Sequence, residues 1–257
     1  MADIEKLRSE INKCDQEIVA AMQRRLAAVR AVGEYKWLNK LAIYQPQREQ
    51  EIVERIAGMV TDRENTGRIV ELFQFIMQQS RNIQMRHCIP KNIVLTGFMA
   101  CGKTTIGKEL ARLSGYAFVD TDAEIENLHC RSVQSIFAEQ GESTFREYER
   151  AVIGDLSERK YCVIACGGGA ILDTNNSRNL QRNGIIVWLK LNIETILERL
   201  RESSGRPLAE GITADETRSL YHLRSEQYEK TADITIDADG KSISEICVDV
   251  LAQCLLL

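Results

Sequence analysis

Gly97-Phe98-Met99-Ala100-Cys101-Gly102-Lys103-Thr104 sets two glycines, a lysine and a hydroxyl at the GxxxxGK[ST] spacing, between an apolar run at 91–96 and a helical pattern reaching Leu113. Glycines let the backbone bend until consecutive amides converge, and the helix that follows adds the partial positive charge of its N-terminus. Both attract phosphate oxygens. A lysine at this place reaches the terminal phosphates of a nucleoside triphosphate, and the next hydroxyl binds Mg²⁺. A second run, 117–122, ends in Asp120 and Asp122. In an open α/β sheet, ligands sit beyond the C-terminal strand ends. One carboxylate there can serve the metal and the other an acceptor hydroxyl; either can also cap the following helix. A third run, 161–166, leads into Gly167, Gly168 and Gly169. A turn needs one glycine; three in a row permit close backbone approach to a ligand. Arg146 lies on a helical stretch between the second and third runs. Arg206 lies in the polar loop 203–215, and Arg224 on the helix after it. Spacing alone gives these arginines no role.

A second group of polar residues interrupts an apolar stripe near the N-terminus. Ile4, Arg8, Ile11, Asp15, Ile18, Met22, Arg25, Val29, Val32 and Lys36 recur at alternating steps of four and three, so they share one face of a helix over 3–39. Such a helix is about 55 Å long, too long to be covered by the rest of a segment this short, and it calls for a second chain. A second helix starts near Pro46, which suits a first helical position, and carries Arg48 and Glu49. A third runs from about 65 to 86, where Ser80 and Gln84 continue an apolar face. A cation on an inward stripe is costly unless paired. Three cations together with Glu49, Ser80 and Gln84 point to a polar pocket for an anion with more than one carboxylate.

The elements that must hold these groups differ between the two parts. Only 3 of the 16 glycines fall within 1–88, and the formal charge is +2 there against −6 beyond. The first part reads as all-helical. The second alternates β-branched runs with helical stretches and reads as an α/β domain with a five-stranded parallel sheet. Its remaining strands are expected at 185–191 and 233–237, with helices over 192–202, 215–231 and 242–255. The division is at 1–88 and 91–257. A net charge of −4 with both signs interspersed argues against a nucleic-acid face. No apolar run spans a membrane and no signal core opens the chain, so a cytoplasmic enzyme is expected. Eight cysteines without metal-ligand spacing read as reduced thiols.

Two family resemblances follow. Residues 4–84 resemble the all-helical class of chorismate mutase, through Leu7-Arg8-x-x-Ile11-x-x-x-Asp15, Arg25, Gly33-x-x-Lys36, Pro46-x-Arg48-Glu49 and Ser80-x-x-x-Gln84. The resemblance implies an intertwined homodimer that rearranges chorismate to prephenate without a cofactor. Arg25, and Arg8 from the second chain, would bind the two carboxylates. Lys36 and Gln84 would reach the ether oxygen, Glu49 the hydroxyl, and Arg48 and Ser80 would line the site. Gln45 departs from the family, where several members carry an acidic residue.

Residues 91–257 resemble shikimate kinase, through GFMACGKTTIG, the Asp120-Thr121-Asp122 run, IFAEQGESTFREYE, the triple glycine, Arg206-Pro207-Leu208 and Arg224-x-x-x-Tyr228. The implied sheet order is 2-3-1-4-5. Shikimate would be held by Asp122, Arg146, Gly167, Gly168, Gly169 and Arg224. ATP would be held by Gly97, Ala100, Cys101, Gly102, Lys103, Thr104, Thr105 and Arg206, with Mg²⁺ on Thr104 and Asp120. Lys103, Asp122 and Arg206 would act on the reacting groups, and Arg199 or Arg201 would stack on adenine. Ala100-Cys101 stands where family members more often have Gly-Ser. The rival readings are a helical part that only dimerises or regulates, a kinase for another small acceptor such as gluconate or a nucleoside monophosphate, and a helical part that is only a coiled coil.

Overall fold

The structure, a computed structural model, describes residues 2–202 and 213–257. Arg206 and its Arg206-Pro207-Leu208 motif lie outside the described residues. The chain divides into two compact units, Met1–Cys88 and Ile89–Leu257.

The first unit has three helices: α1 Ala2–Leu38, α2 Pro46–Met59 and α3 Thr66–Cys88. Lys40 closes the end of α1 with a φ of 53°. Pro46 opens α2 at the position where a missing N–H costs nothing. Asp62 gathers the turn before α3, accepting from the Glu64 amide at 3.1 Å and the Asn65 side chain at 2.6 Å. α1 and α3 pack closely at Gly33, where a Cβ would lie 3.1 Å from Cγ of Gln84. Toward its N-terminus α1 leaves its apolar stripe open, with Ile11 60% and Ile18 59% exposed.

The second unit opens with β1 Asn92–Thr96 and α4 Lys103–Ser114, followed by β2 Ala117–Asp120, α5 Thr121–His129 and α6 Val133–Glu158. β3 Cys162–Ala165 leads through a 3₁₀ turn, Ala170–Leu172, to α7 Thr174–Asn183 and β4 Gly184–Lys190. α8 Ile193–Glu202, α9 Ala214–Thr231, β5 Ile234–Asp237 and α10 Ile243–Cys254 complete it. All strands are parallel, in the order β2-β3-β1-β4-β5, as the resemblance implied. β1 and β3 are buried along their whole length, which explains their unbroken apolar sequences.

The structure corrects the sequence reading in two places. The second strand stops at Asp120, not 122, because the Asp120 carboxylate accepts from the amides of Asp122 and Ala123 and starts α5 there. α7 was not anticipated. Its sequence TNNSRNLQRN is polar, and of its large apolar side chains only Leu180 is available to bury. The side chains of the buried Asn176 and Ser177 donate to the carbonyls of Ala170 at 3.0 Å and Ile171 at 2.7 Å.

β4 begins against the end of α7 so tightly that a Cβ on Gly184 would meet the Leu180 carbonyl at 2.5 Å and the Val94 side chain at 2.7 Å. Gly184→Ala is therefore expected to destabilise this unit by about 1–3 kcal/mol, read as an earlier urea midpoint in the fluorescence of Trp188.

Candidate active sites

β1 delivers the chain to the phosphate loop. Gly97 has a φ of 141°, and a Cβ there would meet the Leu189 carbonyl at 2.7 Å. Gly102, φ 97°, starts α4. Ala100 has a φ of 60°, a left-handed conformation that costs an L-residue roughly 1–2 kcal/mol. Nζ of Lys103 donates to the carbonyls of Gly97 and Phe98, both at 2.9 Å. Cys101 is buried, with its Sγ 3.7 Å from that Nζ, while the Thr105 side chain lies on an exposed residue of α4. Arg199 reaches the loop from α8 and donates to the Ala100 carbonyl at 3.3 Å.

Thr104 Oγ1 donates to Oδ2 of Asp120 at 2.8 Å. Oδ1 of the same carboxylate accepts from the amide of Asp122 at 3.2 Å. A hydroxyl and a carboxylate side by side are hard oxygen donors, the set that suits Mg²⁺. Among the described residues no three His, Cys, Asp or Glu gather as a metal cage, but magnesium at nucleotide sites takes only one or two protein ligands besides phosphate oxygens.

The glycine turn after β3 is where the acceptor-side residues meet. The Gly167 amide donates to Oγ1 of the buried Thr121 at 2.9 Å. A Cβ on Gly167 would lie 2.6 Å from Oδ1 of Asp122 and 3.3 Å from Oε1 of Glu149. On Gly168 it would lie 3.7 Å from Nη1 of Arg224, and on Gly169 2.9 Å from both terminal nitrogens of Arg146. Arg146 is held by Glu149 and Glu142, each at 2.9 Å. Arg224 lies with its guanidinium carbon 5.8 Å from the centre of the Phe98 ring. One turn further along α9, Tyr228 donates to the Gly168 carbonyl at 2.6 Å. Oδ1 of Asp122, Oε1 of Glu149 and Nε of Arg224 are buried without a hydrogen-bond partner among the described residues. Each such atom is costly, and all three belong to side chains that border this turn.

Glu149, 1% exposed, was not among the expected site residues. Its signal was the spacing of three from Arg146 on one helix. Burial raises the Asp122 pKa to about 6, with the charge of Asp120 pushing the same way and Lys103 opposing. Burial also raises that of Glu149, against the attraction of Arg146.

In the helical unit the structure assembles five of the expected residues. Arg25 donates to Ser80, and Ser80 donates to the Ile76 carbonyl at 2.6 Å. Gln84, one turn on, is buried, and its amide donates to the Val29 carbonyl at 3.5 Å. Lys36 donates to the Ile43 carbonyl at 3.0 Å; burial lowers its pKa, and the charge of Glu49 opposes that. Glu49 pairs with Arg81, a residue not singled out in the sequence. Two expected residues are elsewhere. Arg48 is exposed and pairs with Glu51 at 2.7 Å. Arg8 is exposed on α1, some 17 residues and so about 25 Å up the helix from Arg25.

A glycine-bent phosphate cradle, a neighbouring hydroxyl–carboxylate pair and a polar acceptor pocket at one end of a parallel sheet define a P-loop kinase of small molecules. The comparisons narrow the class. The Shikimate kinase family model matches 99–255. Shikimate kinase of Persephonella marina is 39% identical over 163 residues, covering 63% of this chain and 98% of the relative; that of Moorella thermoacetica is 40% identical over 162 residues, covering 63% and 93%. A solved shikimate kinase from Acinetobacter baumannii, in complex with shikimate, is 35% identical with a TM-score of 0.61, covering 65% of this chain and 93% of that one. The chain belongs to the shikimate kinase family, and it carries ahead of the kinase a chorismate mutase type II domain, whose model matches 7–85.

The buried Asp122 sets a pH dependence of stability. With a folded pKa near 6 and an unfolded one near 3.9, the native state holds the extra proton between those values. Its contribution is present at low pH and lost as pH rises through 6. Asp122→Asn is expected to stabilise the kinase unit at pH 8 by on the order of 2 kcal/mol, with the gain shrinking toward pH 5 in thermal melts.

Proposed function

We propose that the kinase site phosphorylates a hydroxyl of shikimate through Asp122. The pocket's unpartnered polar atoms carry this reading, since an acid with ring hydroxyls supplies what each lacks. Arg146 and Arg224 pair with the substrate carboxylate, where planar guanidinium groups suit two-point binding. Asp122 accepts from the ring hydroxyls and takes the proton of the one that attacks. The hydroxyl oxygen bonds to the γ-phosphorus of ATP, the bond from that phosphorus to the β-phosphate bridging oxygen breaks, and ADP leaves. The loop from Gly97 to Thr105 holds the phosphates by its amides. Lys103, released from the carbonyls of Gly97 and Phe98, neutralises charge on the transferring group. Thr104 and Asp120 would hold Mg²⁺, which would offset phosphate charge.

In the helical unit, Arg25 binds a carboxylate of chorismate, Lys36 and Gln84 donate to the ether oxygen, and Glu49 accepts from the hydroxyl. Holding the reactive conformer and stabilising charge at that oxygen drives the rearrangement. The second carboxylate is met by Arg8 of a second copy. The distance of Arg8 from Arg25 and the open apolar stripe of α1 support a homodimer. A cytoplasmic location suits eight free cysteines, and among the described residues no helix is long and apolar enough to cross a membrane.

Assays of the full-length protein test both halves. Phosphate transfer to shikimate is expected to need a divalent cation and to fall roughly 10²–10⁴-fold in Asp122→Asn. Gly169→Ala, which pushes a methyl group against the Arg146 guanidinium, is expected to raise the KM for shikimate about tenfold with the KM for ATP little changed. Kinase activity that survives Asp122→Asn intact overturns the assignment. Arg8→Ala is expected to abolish chorismate turnover and to leave the kinase rate unaffected.

A further inference from the structure

α3 turns two consecutive side chains toward different neighbours. Ser80 meets Arg25 of α1, whereas Arg81 donates to Oε1 of Glu49 on α2. Arg81 is 6% exposed and Glu49 31%. The guanidinium carbon of Arg81 also lies 5.0 Å from the ring centre of Tyr44, in the connection between α1 and α2. A planar cation held against an aromatic face and a carboxylate is fixed in both direction and depth. Removing Glu49 takes a carboxylate partner from a cation held almost wholly out of water. One oxygen of Glu49 is thus committed, and only Oε2 is left to face a ligand.

We propose that Arg81 is a positioning residue of the mutase site. It holds Glu49 with Oε2 turned to the substrate's ring hydroxyl. This rests on the chorismate reading of the site given above. The rival is an ion pair that only ties α2 to α3.

The test uses the full-length protein and four variants: Arg81→Met, Arg81→Lys, Glu49→Gln and the double Arg81→Met/Glu49→Gln. Each single loss of the pair is expected to lower kcat/KM for chorismate roughly 10- to 100-fold. The double variant is expected to be no worse than the poorer single, because both remove one unit. Arg81→Lys recovers part of the loss. An analogue of chorismate lacking the ring hydroxyl is expected to be converted equally by wild type and Arg81→Met. Losses that multiply in the double variant, or an equal loss on the analogue, overturn the proposal. Should Arg81→Met lack the helical melt of the wild type, the cycle of Arg81→Lys with Glu49→Gln decides by the same criterion. A wild type that does not convert chorismate removes the reading and the proposal together; a wild type that does, with multiplying losses, removes the proposal alone.

Discussion

Three consecutive residues without side chains set the terms for the kinase half. Gly167 leaves the space that the carboxylates of Asp122 and Glu149 occupy and Gly169 that of the Arg146 guanidinium, while Arg224 lies within ordinary contact of Gly168. These groups come from α5, α6 and α9, the last far from the first two in sequence. A methyl group on Gly167 or Gly169 would press on one of them. Close approach therefore does here what a dedicated binding loop does elsewhere. It gathers opposite charges at the C-terminal end of the sheet, beside the phosphate loop, without a long segment to order.

Such gathering has an electrostatic cost that the site resolves unevenly. Arg146 is satisfied by two carboxylates, and Asp120 by Thr104 and two amides. Asp122 and Arg224 are left with atoms that no described residue meets. The division separates groups that hold the frame from groups that await a ligand. In the helical unit Ser80, Arg81 and Lys36 are all engaged within the fold, and burial lowers the pKa of Lys36 against the charge of Glu49. In both units burial shifts the pKa of expected or neighbouring site residues, Asp122, Glu149 and Lys36 among them, as expected where stability is traded for function.

Much of this was legible in the residues themselves. The phosphate loop and the long first helix follow from spacing, because glycine positions and apolar periodicity are local signals, whereas the strand order came with the family resemblance. The pairings around the glycine turn were assigned only through family resemblance, since contacts between distant segments leave no periodic trace. Glu149 and Arg81 escaped notice for a related reason: a charged residue beside a recognised one looks like surface until its burial is known. α7 was missed because its buried face is built from Asn176 and Ser177, polar residues that pack by bonding to the carbonyls of the preceding turn. Arg8 and Arg48 show the opposite limit. Their places in a motif were clear, yet within one chain neither comes near the cluster that Arg25 and Ser80 anchor.

Asp120 spends its two oxygens on two helices, one on the hydroxyl that opens α4 and the other on the first amides of α5. Its side chain is thus a spacer one methylene long between the phosphate cradle and the helix that carries Asp122. Glutamate would keep the charge and lengthen the spacer, tilting the first turn of α5 and shifting Asp122 relative to the phosphate loop. At this position chain length matters as much as charge, because a single carboxylate gauges the gap between that loop and the helix carrying Asp122.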